Sequence, residues 1–180
     1  MKHCADNSAD RALGEYWERE FCKMAAGRGL SFTPMQIGRT ASAQAYLQVS
    51  TKWRHYTLPD ITVWTYPGQH HEIKHKDPTA RNTYGLEVYR FNALLWFAGE
   101  TKQAVLYTIH NHALSGGRDS KTNRIEHWFT ANIRELDGIW SSRSHVFSYI
   151  NGEKHRVPIY YWPTCLWTPL QEYWHISEAA

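Results

Sequence analysis

Two acids and a lysine fall close together between residues 58 and 76. Pro59-Asp60 precedes the apolar run Ile61-Thr62-Val63-Trp64-Thr65-Tyr66, Pro67-Gly68 interrupts it, and His71-Glu72-Ile73-Lys74 follows. Side chains alternate between the two faces of a strand, so Glu72 and Lys74 share one face and Ile73 points to the other. Pro67-Gly68 suits a type II turn, in which proline presets the first central residue and glycine takes the positive φ of the second. The two strands are therefore expected to pair antiparallel and to fold Asp60 back towards Glu72, at one edge of a sheet. Clustered carboxylates repel unless a cation lies between them, and all-oxygen ligands favour a hard ion such as Mg²⁺, with Mn²⁺ as its substitute, over zinc. Such an ion polarises a phosphoryl oxygen and acidifies a bound water, while a lysine orients that water or stabilises developing charge. Phosphodiester hydrolysis is the chemistry that suits these groups. The plain alternative is an exposed hairpin whose Glu72–Lys74 ion pair contributes little to stability. Against it stands the composition of residues 70–76, in which Ile73 is the single aliphatic residue.

The flanking segments supply elements that can hold such a hairpin. Asn7 or Ser8 can cap a helix running to about Ala26, with Asp10 in its first turn and Gly27-Arg28-Gly29 as its stop. Leu13, Trp17, Phe21 and Met24 form its apolar stripe. Downstream, Thr83 can cap a second helix over residues 84–98, with Leu86, Tyr89, Ala93, Trp96 and Phe97 on one face and Gly99 at its end. Residues 103–110 are rich in β-branched and aromatic side chains and read as a buried strand.

Asp60, an eleven-residue spacing and Glu72-Ile73-Lys74, set in this order of elements, resemble the signature of the PD-(D/E)XK nuclease superfamily, which includes restriction endonucleases, Holliday-junction resolvases and phage exonucleases. The resemblance covers roughly residues 8–112. It implies an α/β fold with a central mixed sheet flanked by helices and an αβββαβ core. It implies that Asp60 and Glu72 bind Mg²⁺ together with the backbone carbonyl of Ile73, and that Lys74 is the catalytic lysine. Members often carry a further glutamate on the first helix; Glu18, in Gly14-Glu15-Tyr16-Trp17-Glu18, is the choice for that catalytic and metal-supporting acid, with Glu15 behind it. The expected substrate is DNA, duplex or branched. An endonuclease is favoured over an exonuclease, because no toroid or ATPase partner domain is evident. A homodimer would suit cutting of both strands. The alternative is a module that keeps the nuclease fold, lacks catalysis and binds nucleic acid or a protein.

The 180 residues, 42% hydrophobic and 21% charged, fit one compact domain, with the core at about 8–112 and an aromatic-rich C-terminal elaboration at about 113–180. A formal charge of +3 leaves any nucleic-acid footprint to local clustering. Lys52, Arg54, Arg81 and Arg90 flank the hairpin and are the expected DNA-backbone contacts. Arg118 and Lys121 lie with Arg124 in the polar, glycine-containing stretch 114–124, a loop that either clamps phosphates or is simply solvated. Trp162, Trp167 and Trp174 punctuate a proline-containing tail that either completes the core or stacks on bases. Cys4, Cys22 and Cys165 show neither disulfide nor zinc spacing, no signal-peptide pattern opens the chain, and no window approaches the ~20 apolar residues of a membrane span; a cytoplasmic protein is expected. His110-Asn111-His112 matches another nuclease motif in letters only. His70, His71 and His75 raise a histidine metal site, but His71 and His75 lie on the face opposite Glu72, whereas His70 shares its face and is expected near DNA or the attacking water.

Overall fold

The computed structural model describes residues 7–35, 59–65, 68–117, 119–140, 142–150 and 153–178. Helix α1 (Asn7–Gly27) buries Trp17, Phe21 and Ala25, with Leu13 and Met24 partly covered beside them, as the spacing predicts. It stops where Gly29 takes a φ of 74° and the Leu30 amide donates to the Ala25 carbonyl. Strands β1 (Ser31–Pro34), β2 (Ile61–Trp64) and β3 (Gln69–Lys76) pair antiparallel in succession, with Ile61 opposite His71 and Thr62 opposite His70. Tyr66 and Pro67, at the turn, lie outside the described residues.

Strand β4 (Thr83–Glu87) and helix α2 (Val88–Thr101) follow, then β5 (Ala104–Asn111), which lies parallel to β3 with Glu72 beside Tyr107. A short helix α3 (His112–Ser115) leads to β6 (Trp128–Asn132), β7 (Ser142–Ile150), β8 (Glu153–Pro163), the two-residue β9 (Thr168–Pro169) and helix α4 (Leu170–Glu178). The main sheet has the order β1-β2-β3-β5-β6-β9 and is mixed; β4, β8 and β7 form a second, antiparallel sheet. β3 is thus an interior strand and not an edge, because β5 pairs along its full length.

One core lies under α1 and α4, where Ile61, Val63, Ile73 and Trp128 meet Trp17, Phe21, Leu170 and Trp174. The other lies under α2 and the second sheet, where Val105, Tyr107 and Ile109 meet Phe91, Leu94, Trp162 and Trp167. The tail tryptophans therefore complete the core.

Two expectations about the α2 region are corrected. Residues 83–87 form a strand rather than a helix start, because Tyr84 and Leu86 pair with Trp162 and Tyr160 of β8. Gly85 must stay bare there: a Cβ would meet the Tyr161 ring at 2.7 Å and Ile159 at 2.9 Å. The helix then begins at Val88 and runs past Gly99 to Thr101, with Lys102 left-handed at φ 56°. Its buried stripe is Val88, Phe91, Ala93, Leu94 and Ala98, while Tyr89 is 58% exposed. The stretch after β5 is also less loop-like than read, since Asn111 caps α3 by accepting from the Leu114 amide.

Candidate active site

β3 carries two sets of side chains, and the structure sends them to opposite layers as strand alternation requires. Towards α1, His71 packs on Phe21 and His75 on Trp17. Towards α2 lie His70, Glu72, Lys74 and Lys76. Asp60, just before β2, is fixed from three sides: its amide donates to the His71 carbonyl at 2.9 Å, its carbonyl accepts from the Met35 amide at 2.9 Å, and its Oδ2 accepts from the Ile73 amide at 2.7 Å. That last bond places Asp60 against Glu72, whose side chain is fully buried. A surface hairpin with an exposed ion pair is thereby excluded.

Lys74 Nζ donates to Glu72 Oε1, lies 3.1 Å from the Ile73 carbonyl oxygen and 3.8 Å from Asp60 Oδ2, and keeps 27% of its side chain exposed. A second cation, unexpected here, comes from the first turn of α2. Arg90 Nε is 2.5 Å from Glu72 Oε1 and Nη2 is 3.8 Å from Asp60 Oδ1, with 17% of the side chain exposed. Arg90, one of the expected DNA-backbone contacts, turns its guanidinium to the acid pair. The sequence held a signal for this, since Arg90 lies three and four residues before the buried Ala93 and Leu94 on the same stripe of α2.

The electrostatics split the two acids. Burial raises the Asp60 carboxyl and the Glu72 charge raises it further, against Lys74, Arg90 and the Ile73 amide. Burial also works against Glu72, but Arg90 and Lys74 outweigh it and hold its carboxyl below the usual range. Arg90 is held up in turn, as Glu72 and Asp60 overcome its own desolvation. Lys76 is pushed down to about 8 by burial, with Glu87 opposing, and donates to the Gly85 carbonyl at 2.6 Å.

His70 does not stand free towards a substrate. Its Nδ1 is 2.8 Å from Thr62 Oγ1, Nε2 contacts Gln103 Oε1, and its ring packs edge-on against Phe97. Glu18 sits on α1, where burial first and then the Glu18 charge raise the Cys22 thiol. Among the described residues no three His, Cys, Asp or Glu side chains converge as a ready metal cluster. Arg81 is exposed in the turn before β4, and Lys121 is exposed beside α1 with its Nζ 5.8 Å from the centre of the Tyr16 ring. Lys52, Arg54 and Arg118 lie outside the described residues.

The donor set still suits a hard divalent ion. Asp60, Glu72 and the Ile73 carbonyl offer oxygen alone, and Glu72 Oε2 is buried without a hydrogen-bond partner. No protein-family model matches the chain, and no curated protein matches it. Among solved structures, it is similar to a Holliday junction resolvase from the archaeal hyperthermophile Archaeoglobus fulgidus, with a TM-score of 0.50 and 12% identity over 88% of this chain and 98% of that one. The likeness is one of fold: an α/β architecture with a mixed central sheet between helices, resembling that of the resolvase.

Proposed function

We propose that this protein belongs with the PD-(D/E)XK nucleases and is a Mg²⁺-dependent DNA endonuclease, with branched duplexes as the first substrate to try. The observation that carries this reading is the fully buried Asp60–Glu72 pair, locked by the Ile73 amide and touched by a lysine two residues beyond Glu72, on a fold like that of a resolvase. Asp60, Glu72 and the Ile73 carbonyl would hold the ion, which supplies Lewis acidity towards a phosphoryl oxygen and a more acidic water. Lys74, whose Nζ touches the acids and whose side chain is partly open to solvent, holds the attacking water or donates to the charge that develops on phosphorus. Glu18 enters as a supporting acid on α1.

The test is cleavage of duplex, branched and single-stranded DNA with Mg²⁺ or Mn²⁺ and then with chelator, comparing the unmodified chain with Lys74→Ala and Asp60→Asn. Metal-dependent cutting that both substitutions abolish while the proteins stay folded supports the nuclease. One observation favours a second reading, a non-catalytic binding module: Lys74 and Arg90 already balance the two acids without any ion. Absence of cutting on every substrate, with nucleic-acid binding unchanged in both variants, would select it.

A further inference from the structure

Arg90 meets Glu72 at one carboxylate oxygen rather than at both. A guanidinium that recognises a carboxylate fully does so with two parallel N–H bonds to its two oxygens. Here Arg90 Nε lies 2.5 Å from Glu72 Oε1, while the other carboxylate oxygen, Glu72 Oε2, is buried with no hydrogen-bond partner. Nη2 reaches Asp60 only at 3.8 Å. The position is also unfavourable for a cation on its own element, because Arg90 is the third residue of α2, whose first turn contains no acid. Exposed amides make a helix N-terminus a place for anions, and a cation there is repelled. Glu72 and Asp60, with Glu87 at the N-cap of α2 adding to them, hold the charged guanidinium there. A divalent ion bound by those acids would remove that attraction and add repulsion at a guanidinium whose side chain is already 17% exposed beside the helix start.

We infer that Arg90 is an exchangeable counterion of the acid pair. It neutralises Asp60 and Glu72 in the ion-free protein, gives way when a divalent ion enters, and then places its guanidinium on a phosphate of the bound DNA. Ion entry and phosphate binding thereby favour one another, because each occupies a partner that the other step leaves free. Arg90 is on this account a positioning residue that keeps the acids buried and folded without metal and couples metal uptake to substrate. The inference rests on the nuclease reading of the site.

The experiment is calorimetric titration of Mn²⁺ into the full chain without DNA, for the unmodified protein, Arg90→Gln and Arg90→Lys, followed by the same titrations with an uncleavable phosphorothioate branched duplex. Arg90→Gln is expected to bind Mn²⁺ roughly tenfold more tightly without DNA, within the usual range of coupling between sites. Its Mn²⁺ affinity should then gain little from DNA, whereas the unmodified protein gains markedly. Arg90→Lys keeps the charge and loses the fork, so it should lie between the two, and it makes the same comparison if the glutamine variant does not fold. Equal Mn²⁺ affinity in the unmodified protein and the folded variants overturns the counterion role and leaves the nuclease reading standing. Failure of all of them to bind Mn²⁺, with or without DNA, overturns both.

Discussion

At the scale of residues, the site is four charges that sum to zero in a space that water barely reaches. Asp60 and Glu72 are 2% and 0% exposed, Arg90 and Lys74 stand against them, and each charge is tolerable only because the others are present. Removing a fully buried member should therefore cost more than removing the one that reaches solvent. Glu72→Gln leaves Arg90 facing Asp60 alone, and we expect it to lower the unfolding free energy by about 3–5 kcal/mol, the usual cost of breaking a buried pair. Lys74→Met, at a side chain 27% exposed, should stay well below that loss and still abolish cleavage. Urea unfolding of the two variants beside the parent makes the comparison; equal losses would contradict the picture of an acid pair buried for function beneath two partly exposed cations.

At the scale of elements, the parallel pairing of β3 with β5 gathers imidazoles as well as acids. His75 faces His110 across the two strands, with their Nδ1 atoms 2.9 Å apart, and Trp17 of α1 stacks on the His110 ring at 3.6 Å. His112 stacks in turn on His75 at 3.5 Å, with its Nδ1 3.6 Å from Asp77. Burial first, then the neighbouring His75, His127 and His112, pushes the fully buried His110 down from 6.5 to about 3. Between those values the unfolded chain takes up a proton that the folded chain refuses. Stability is thus complete above about pH 6.5 and falls as the pH drops towards 3, by about 1.4 kcal/mol per pH unit for such a group. His71 is likewise lowered to about 3 and acts in the same window. His110→Phe keeps a ring on Trp17 and removes one titration, so its melting temperature should fall less between pH 7 and pH 4.5 than the parent's. An unchanged acid limb would show that His110 is not kept neutral by the fold.

At the scale of the whole molecule, the C-terminal third reaches both cores. Trp162 and Trp167 enter the layer under α2, whereas Leu170 and Trp174 enter the layer under α1, so the same tail seals both faces of the sheet that carries the site. Trp174 is 1% exposed, packs on Phe21 at 5.6 Å and holds Arg28 over its ring at 5.8 Å. Trp174→Ala should cost about 3–5 kcal/mol, as large aromatic deletions from cores do. A shift in the denaturation midpoint at constant slope is the expected record, and a loss under about 1 kcal/mol would mean that α4 contributes no packing to the α1 layer. No helix among the described residues is long and apolar enough to cross a membrane.

Much of this architecture was legible in the chain. Helical spacing of Trp17 and Phe21 gave α1 and its buried stripe, the glycines at 27 and 29 its end, and period-two alternation the shared face of Glu72 and Lys74. The β-branched run gave β5, whereas the order of helix, three strands, helix and strand came from the family resemblance and holds for the main sheet, with β4 of the second sheet inserted before α2. The local features depend on neighbours within a few residues, where geometry follows from residue type. What the sequence did not show depends on partners distant in the chain. Residues 83–87 have a pattern compatible with a helix start, and only pairing with β8 makes them a strand. His70 reads as a group free for chemistry until Thr62 and Gln103 close on its ring. Arg90 reads as a surface cation until α2 lays it across Asp60 and Glu72. Local periodicity fixes which way a side chain points along its own element; which charge it meets there is decided by how the elements pack, and in a buried site that meeting sets the chemistry.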